Sequence, residues 1–333
     1  MHRIQSASAA VLLIMTLAMH GLAAEDAGKM PPAEPADAAP IVYEAGRQVC
    51  VVDCDALHES SGVACGRINE GVFWTHNDSG DQPVVYAFNT DGELLATFRV
   101  TGATARDWED MASVKIGRNG YLLIADVGDN NKQRKDCKLY LVPEPSLKAV
   151  RFPKGGKPAG PPKPVSTMRC EEVAFSYEDG PHNCESAAID PQTLKVYLVS
   201  KEEGNATCKV YEVPSPKEWK RAVVAKPIAE LKLPTTSGMD ISPDGRRAII
   251  TTYGNAYEYT RKAGDSWKDA FARQPREIAL PARAQGESIC YGPDGQSLYL
   301  TSETKGGGGM PLFEVPVKND NAEKTDVDAK EEK

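Results

Sequence analysis

Histidine is scarce in this 333-residue chain, with five in all, and two of them, His2 and His20, fall within the first 24 residues. The others are His58, His76 and His182, none with a local Ser or Cys partner, and no Gly-x-Ser-x-Gly occurs. A hydrolase built on an imidazole-activated nucleophile is therefore poorly provided for. Positive charge is short as well. Lys and Arg number 39 against 47 Asp and Glu, a net charge of −8, and no basic stripe is present. Nucleic acid and anionic membrane surfaces need clustered positive charge, so neither is an expected partner. The single long apolar run, Ala9 to Met19, is about half the ~20 residues of a spanning helix, so no membrane span is expected. Helical periodicity is hard to find between Ile41 and Val317. In its place are short alternating apolar runs punctuated by Asp-Gly and Asn-Gly turns, the pattern of an all-β chain.

What is present at the N-terminus reads as an export signal over residues 1–24. Arg3 gives the positive start, Ala9 to Met19 the apolar stretch, and Gly21-Leu22-Ala23-Ala24 the small-residue cleavage site. Residues 25–40 form an Ala/Pro spacer, and 318–333 a charged tail without a core-forming pattern. A secreted or periplasmic location is expected. In that setting the eight cysteines, an even number, point to disulfides, and Cys137–Cys170 is the pair expected across neighbouring strands. Zinc is the rival use, but only Cys50-x3-Cys54 has ligand-like spacing.

The chain repeats. Five segments align on Ser61, Glu109, Glu185, Ser237 and Glu287, with steps of 48, 76, 52 and 50 residues. Each is followed by a turn, an apolar strand and an aromatic-bearing strand; the aromatics are Tyr86, Tyr140, Tyr211, Tyr257 and Phe313. A period near 50 with three or four strands is that of a β-propeller blade. The long step is a Pro-rich insertion over Ser146 to Val165. Outer strands are expected at Leu94–Val100, Arg169–Phe175, Ile228–Leu233 and Arg276–Leu280. The fifth repeat has none after it, so Gln48–Val52 is expected to complete it and close the ring. The count gives a five-bladed propeller over 41–317, or six blades if a degenerate one hides in the insertion.

The aligned column should ring the channel mouth. Glu109, Glu185 and Glu287 occupy it, and Asn77, Asp126 and Glu303 end the facing second strands, with Lys201 and Tyr253 at the other two places. Crowded carboxylates repel unless a cation or a shared proton intervenes, and an oxygen-only set suits Ca²⁺. Glu109, Glu185, Glu287, Asn77 and Asp126 are thus the expected cation ligands. The alternative turns the acids onto backbone N–H groups. Two loops, His76-Asn77-Asp78-Ser79-Gly80-Asp81 and Asp126-Val127-Gly128-Asp129-Asn130, pack acids and amides with glycine. From them Asp78, Asp81, Asp129 and Asn130 are expected to contact a ligand, joined by Arg106, Asp107 and Trp108 of Arg106-Asp107-Trp108-Glu109-Asp110. Asx-turn chemistry and core filling are the plainer uses of the same residues. His76, His182 and Glu185 are the candidates for proton transfer.

Trp74-Thr75-His76-Asn77-Asp78-Ser79-Gly80-Asp81, Asp107-Trp108-Glu109-Asp110 and Gly128-Asp129-Asn130 resemble the signature of a family of secreted bacterial β-propellers. More remotely the chain is similar to phytase-like esterase domains and to the gluconolactonase and strictosidine-synthase propellers. The resemblance implies a divalent cation, often Ca²⁺, held by acids and amides at the channel. Two functions are open: a Ca²⁺-dependent hydrolase of phosphoesters, esters or lactones, and a non-catalytic module binding a polysaccharide, peptide or envelope protein. Either would take a small-molecule or polymer ligand at the mouth, and a monomer is expected.

Overall fold

A computed structural model of the chain describes residues 41–149, 163–203, 207–304 and 309–318. The expected signal segment 1–24 and spacer 25–40, most of the insertion and nearly all of the 318–333 tail lie outside the described residues. The described chain is all-β, with 49% strand and 4% helix.

Five antiparallel units of like pattern follow one another. The first joins β2 (Ser60–Cys65), β3 (Val72–Asn77), β4 (Val84–Asn89) and β5 (Leu94–Arg99) in sequence order. The second joins β6 (Trp108–Ile116), β7 (Asn119–Asp126), β8 (Cys137–Pro143) and, after the insertion, β10 (Glu171–Tyr177). The insertion's own short β9 (Val165–Ser166) lies parallel against β5. The third joins β11 (Cys184–Ile189), β12 (Val196–Ser200), β13 (Cys208–Val213) and β14 (Val223–Leu231). The fourth joins β15 (Thr236–Ile241), β16 (Arg247–Thr252), β17 (Ala256–Thr260) and β18 (Arg276–Ile278). The fifth has a broken inner strand, β19 (Gln285–Gly286) with β20 (Cys290–Tyr291), then β21 (Leu298–Glu303) and β22 (Met310–Val315). Its fourth strand is β1 (Arg47–Val52), antiparallel to β22 with Gln48 opposite Phe313 and Val52 opposite Met310. Each expected outer strand pairs where the repeat placed it.

Hydrogen bonds from the first strands link each unit to the next and the fifth back to the first. Ser61 Oγ donates to Glu109 O at 2.7 Å, and Ser113 Oγ to Cys65 O at 2.6 Å. The Ala187 N–H donates to Asp110 Oδ2 at 2.7 Å, and Thr236 Oγ1 to Ser200 O at 3.2 Å. The Tyr291 N–H reaches Asp240 Oδ2 at 2.9 Å, and Ser60 and Thr301 share a hydroxyl bond of 2.8 Å that returns to the first unit. Neighbouring sheets therefore pack on both faces of each unit. This explains why β2, β3, β11, β15 and β16 are buried along their whole length instead of alternating. The core is a set of clusters between adjacent units. Trp74, Met111 and Tyr140 fill one, Leu123, Phe175 and Leu198 the next, and Tyr197, Ile250 and Trp267 a third. Trp267 belongs to the one α-helix among the described residues, α1 (Trp267–Phe271), which begins on a Ser266–Asp269 capping box.

The cysteine expectation fails. All eight thiols are unpaired, seven of them buried. In the β8–β10 ladder Cys137 faces Phe175, while Glu171, the neighbour of Cys170, faces Leu141. At ~3.3 Å per residue the five-residue offset puts the two cysteines about 16 Å apart along the strand, far beyond a disulfide's ~4.4–6.8 Å. The sequence placed both residues on adjacent strands but could not fix their register.

Candidate cation site

The aligned column has a common backbone origin. Ladder register slips between Ser60 and Gly62, Trp108 and Asp110, Cys184 and Ser186, and Thr236 and Gly238. The fifth unit carries the same single surplus residue between Gly286 and Cys290, which face Ser302 and Tyr299. Ser61, Glu109, Glu185, Ser237 and Glu287 therefore sit in or at a β-bulge, each beside the end of its second strand. A bulge re-aims a side chain out of the alternating pattern, so one column can serve one end of the ring.

Three carboxylates come together there. Oxygens of Asp78, Asp107 and Glu109 lie within 4.8 Å of one another, with Glu109 buried and the two aspartates half-buried. None of the three has an ion-pair partner among the described residues. Burial first, then the charges of Glu185, Asp78 and Asp107, push the Glu109 carboxyl well above its usual range. Burial and Asp78 push Asp107 the same way. Gly128 lies beneath them. A Cβ there would collide with Glu109 Oε1 and stand 2.5 Å from Asp107 Oδ2, so only glycine lets the two carboxylates settle on this loop.

The rest of the column is electrostatically linked to this cluster. Glu185 forms an ion pair with Lys201, whose ammonium also donates to the Tyr253 hydroxyl at 2.8 Å. Burial raises the Glu185 carboxyl and Lys201 opposes that rise. Glu287 accepts from the Gln285 amide, and burial, reinforced by Glu185, pushes its carboxyl up to about 8. Glu303 is raised by burial and by Asp78, Glu59 and Glu185.

Other expected site residues are occupied elsewhere. Asn77 Oδ1 accepts from the N–H groups of His58 at 3.2 Å and Glu59 at 3.3 Å, and its amide donates to Ala56 O at 2.8 Å and to Asp81 at 2.5 Å. Asp126 accepts from the N–H groups of Arg106 and Asp107, each at 3.2 Å, and pairs with buried Arg134 at 2.7 Å. Both residues thus stiffen the loops on which the cluster stands. Asp129 accepts from the Arg134 N–H at 2.6 Å, and Asn130 Oδ1 from the Asn183 amide at 3.1 Å. Arg106 is exposed and reaches Asp136 at 3.2 Å. Trp108 is a core residue whose indole donates to Thr104 O at 3.0 Å.

Neither histidine is a member of the cluster. His76 is fully buried, edge-on to Trp108, with Nδ1 2.9 Å from Asn77 O, and burial holds it below its usual pKa, hence neutral. It has no access to a solute. His182 packs against Tyr177 and Tyr211, with Nε2 3.0 Å from Asp179. Sequence reading assigned Asp78 and Asp107 to ligand contact instead of to one group with Glu109, because the strand count cannot show which loops lean together.

No known protein family matches the chain, and no curated protein does either. Among solved structures, the chain is similar to a gluconolactonase from Xanthomonas campestris, at 14% identity and a TM-score of 0.42, over 85% of this chain and 99% of that one. A likeness this slight assigns no activity. No helix among the described residues is long and apolar enough to cross a membrane.

Proposed function

We propose that the five units are the blades of a five-bladed β-propeller whose mouth holds a hard divalent cation, Ca²⁺, between Asp78, Asp107 and Glu109, and that it hydrolyses a phosphoester, ester or lactone there. One observation carries the reading: three carboxylates within 4.8 Å, lacking any ion-pair partner among the described residues. Oxygens bound across a Ca²⁺ at ~2.3–2.6 Å stand up to about 5 Å apart, so the donor set fits in kind and in span. Nitrogen and sulfur donors are missing from it, which disfavours transition metals. When bound, the cation would polarise the scissile oxygen-bearing group.

The chain's own groups supply the rest. Lys201 holds Glu185 in place beside the cluster. Glu287, with its carboxyl near 8, keeps a proton at neutral pH and can give it to a leaving oxygen. Half-exposed Tyr253, fixed by Lys201, offers a ring face at the rim. Export by residues 1–24 belongs to the same reading, since millimolar extracellular Ca²⁺ suits a site with few charges.

The test is metal analysis of the purified protein, thermal melts in Ca²⁺ and in EDTA, and turnover of a phosphoester, ester and lactone panel. Bound Ca²⁺, a melting rise lost in E109Q, and turnover of one class are expected. No bound metal and no shift would discard the site. A shift without turnover would favour the non-catalytic binding module, which the burial of His76 and the engagement of His182 by Asp179 also suit.

A further inference from the structure

We infer that Arg283 is an anion-recognising group of this mouth, and that the ligand carries a carboxylate or phosphate that it binds. The inference rests on the cation reading above and names the class of ligand for the same site. Arg283 stands in the loop before β19. Its Nη2 donates to Thr252 O at 3.2 Å and Gly254 O at 3.1 Å, while Nε and Nη1 have neither a partner nor exposed surface among the described residues. A buried guanidinium without an anion is a costly arrangement, because it stays charged and its planar donors are made to meet oxygens in pairs. Three more deeply buried arginines differ in having a carboxylate partner, although Arg134 Nε and Arg247 Nη1 also lack a hydrogen-bond acceptor. Arg134 reaches Asp126 at 2.7 Å, Arg261 reaches Asp190 at 3.0 Å, and Arg247 reaches Asp244 at 3.7 Å.

Glu287 is the acid whose charge acts on Arg283, but its carboxylate is engaged by the Gln285 amide and forms no ion pair with the guanidinium among the described residues. Burial leaves Arg283 with a pKa lowered to about 10, so it remains a cation at neutral pH. Its place is at the mouth. The Thr252-Tyr253-Gly254 turn holds Arg283 through two carbonyls and Lys201 through the Tyr253 hydroxyl. Lys201 is already paired with Glu185, which leaves Arg283 as the cation of this turn without a carboxylate. The guanidinium lies against Gly286, where a Cβ would come within 2.5 Å of Nε. A rotation of its flexible stem away from Gly286 brings the unpartnered donors to an oxyanion. The mouth then has two poles: carboxylates that take a cation on the first and second units, and a guanidinium that takes an anion between the fourth and fifth.

The test uses the full chain and two probes, inorganic phosphate and acetate, titrated separately from Ca²⁺ by calorimetry and by thermal melts. Wild-type protein should bind at least one probe, R283Q should bind it at least tenfold more weakly, and R283K should fall between. G286A, which keeps the charge and crowds the guanidinium away from residue 286, should bind the same probe at least as tightly as wild type and serves if R283Q does not fold; weaker binding by G286A would count against the inference. The Ca²⁺ shift should persist in every Arg283 variant and vanish in E109Q. Phosphate alone would assign a phosphoester ligand, acetate alone a carboxylate. Wild-type indifference to both probes, or full binding by R283Q, would overturn the inference. A missing Ca²⁺ shift with intact Arg283-dependent binding would instead remove the cation reading.

Discussion

Asp110 Oδ2 accepts a hydrogen bond from the Met239 N–H at 2.9 Å, across 129 residues of chain. The same oxygen accepts from the Ala187 N–H at 2.7 Å, and Oδ1 from Asp110's own neighbour Met111 at 2.8 Å. One fully buried carboxylate on β6 thereby ties the second, third and fourth units together. Burial pushes its pKa well above the usual range, and the three N–H donors oppose that rise. Replacing it with alanine orphans donors on three strands, so D110A should lose about 3 kcal/mol or more of unfolding free energy. D110N, which keeps an acceptor oxygen, should lose less. Urea denaturation checks both, and a loss below about 1 kcal/mol in D110A would deny Asp110 this role.

Gly128→Ala tests the cluster from beneath. The added methyl would displace Glu109 and Asp107 from their seats while leaving every charge in place. The Ca²⁺-induced rise in melting temperature should fall by more than half, with the EDTA melt lowered only modestly. An unchanged Ca²⁺ response would show that these two carboxylates do not bind the ion together.

The pH dependence has a definite sign. Glu287 titrates near 8 in the folded chain, above the ~4.3 of an unfolded glutamate. Between those values the folded state binds more protons, so its contribution to stability is present at low pH and is lost as pH rises from about 4.3 to 8. Glu109 and Glu303, also raised, act in the same direction. Without divalent cation, stability should fall over this window, by at most about 1.4 kcal/mol per pH unit for each such group. E287Q should flatten part of that slope. Equal slopes for wild type and E287Q in EDTA would contradict it.

The thiols give a count. Burial pushes Cys65, Cys137 and Cys208 up to about 11 and Cys184 up to about 12, so none is reactive while folded. Without reductant, a thiol reagent should report eight groups in guanidinium and about one in native buffer, Cys50 being the half-buried exception. Fewer than eight in denaturant would mean that disulfides form after all.

The strand plan was legible because a repeat multiplies a weak signal. Phe73, Leu123, Leu198, Ile250 and Leu300 each say little alone, but five like segments at even spacing fix which strand follows which. The column of Ser61, Glu109, Glu185, Ser237 and Glu287 was legible for the same reason, although its β-bulge was not. Single-residue fates were less readable. His76 sits in the most loop-like motif of the sequence yet is fully buried, because the inner strands of two units close over it. Asn77 and Asp126 share a column with Glu303 but spend their oxygens on nearby backbone N–H groups, a choice set by loop shape. Cys137 lies on β8 as placed and Cys170 just before β10, and five residues of register separate them.

The pairing of β1 with β22 sets the order in which this protein can be finished. Arg47 meets Glu314 across a separation of 267 residues, so the joint is among the most non-local contacts in the chain, and such contacts slow folding. Four units can assemble from neighbouring hairpins as the chain emerges, but the fifth must wait for both ends. Until then β22 and the first unit present open sheet edges, the surfaces on which incomplete β-proteins stick to one another. A chain cut short of Met310 would carry β1 with no strand to receive it, and the failure would appear as aggregation of a largely folded molecule instead of as a missing tail.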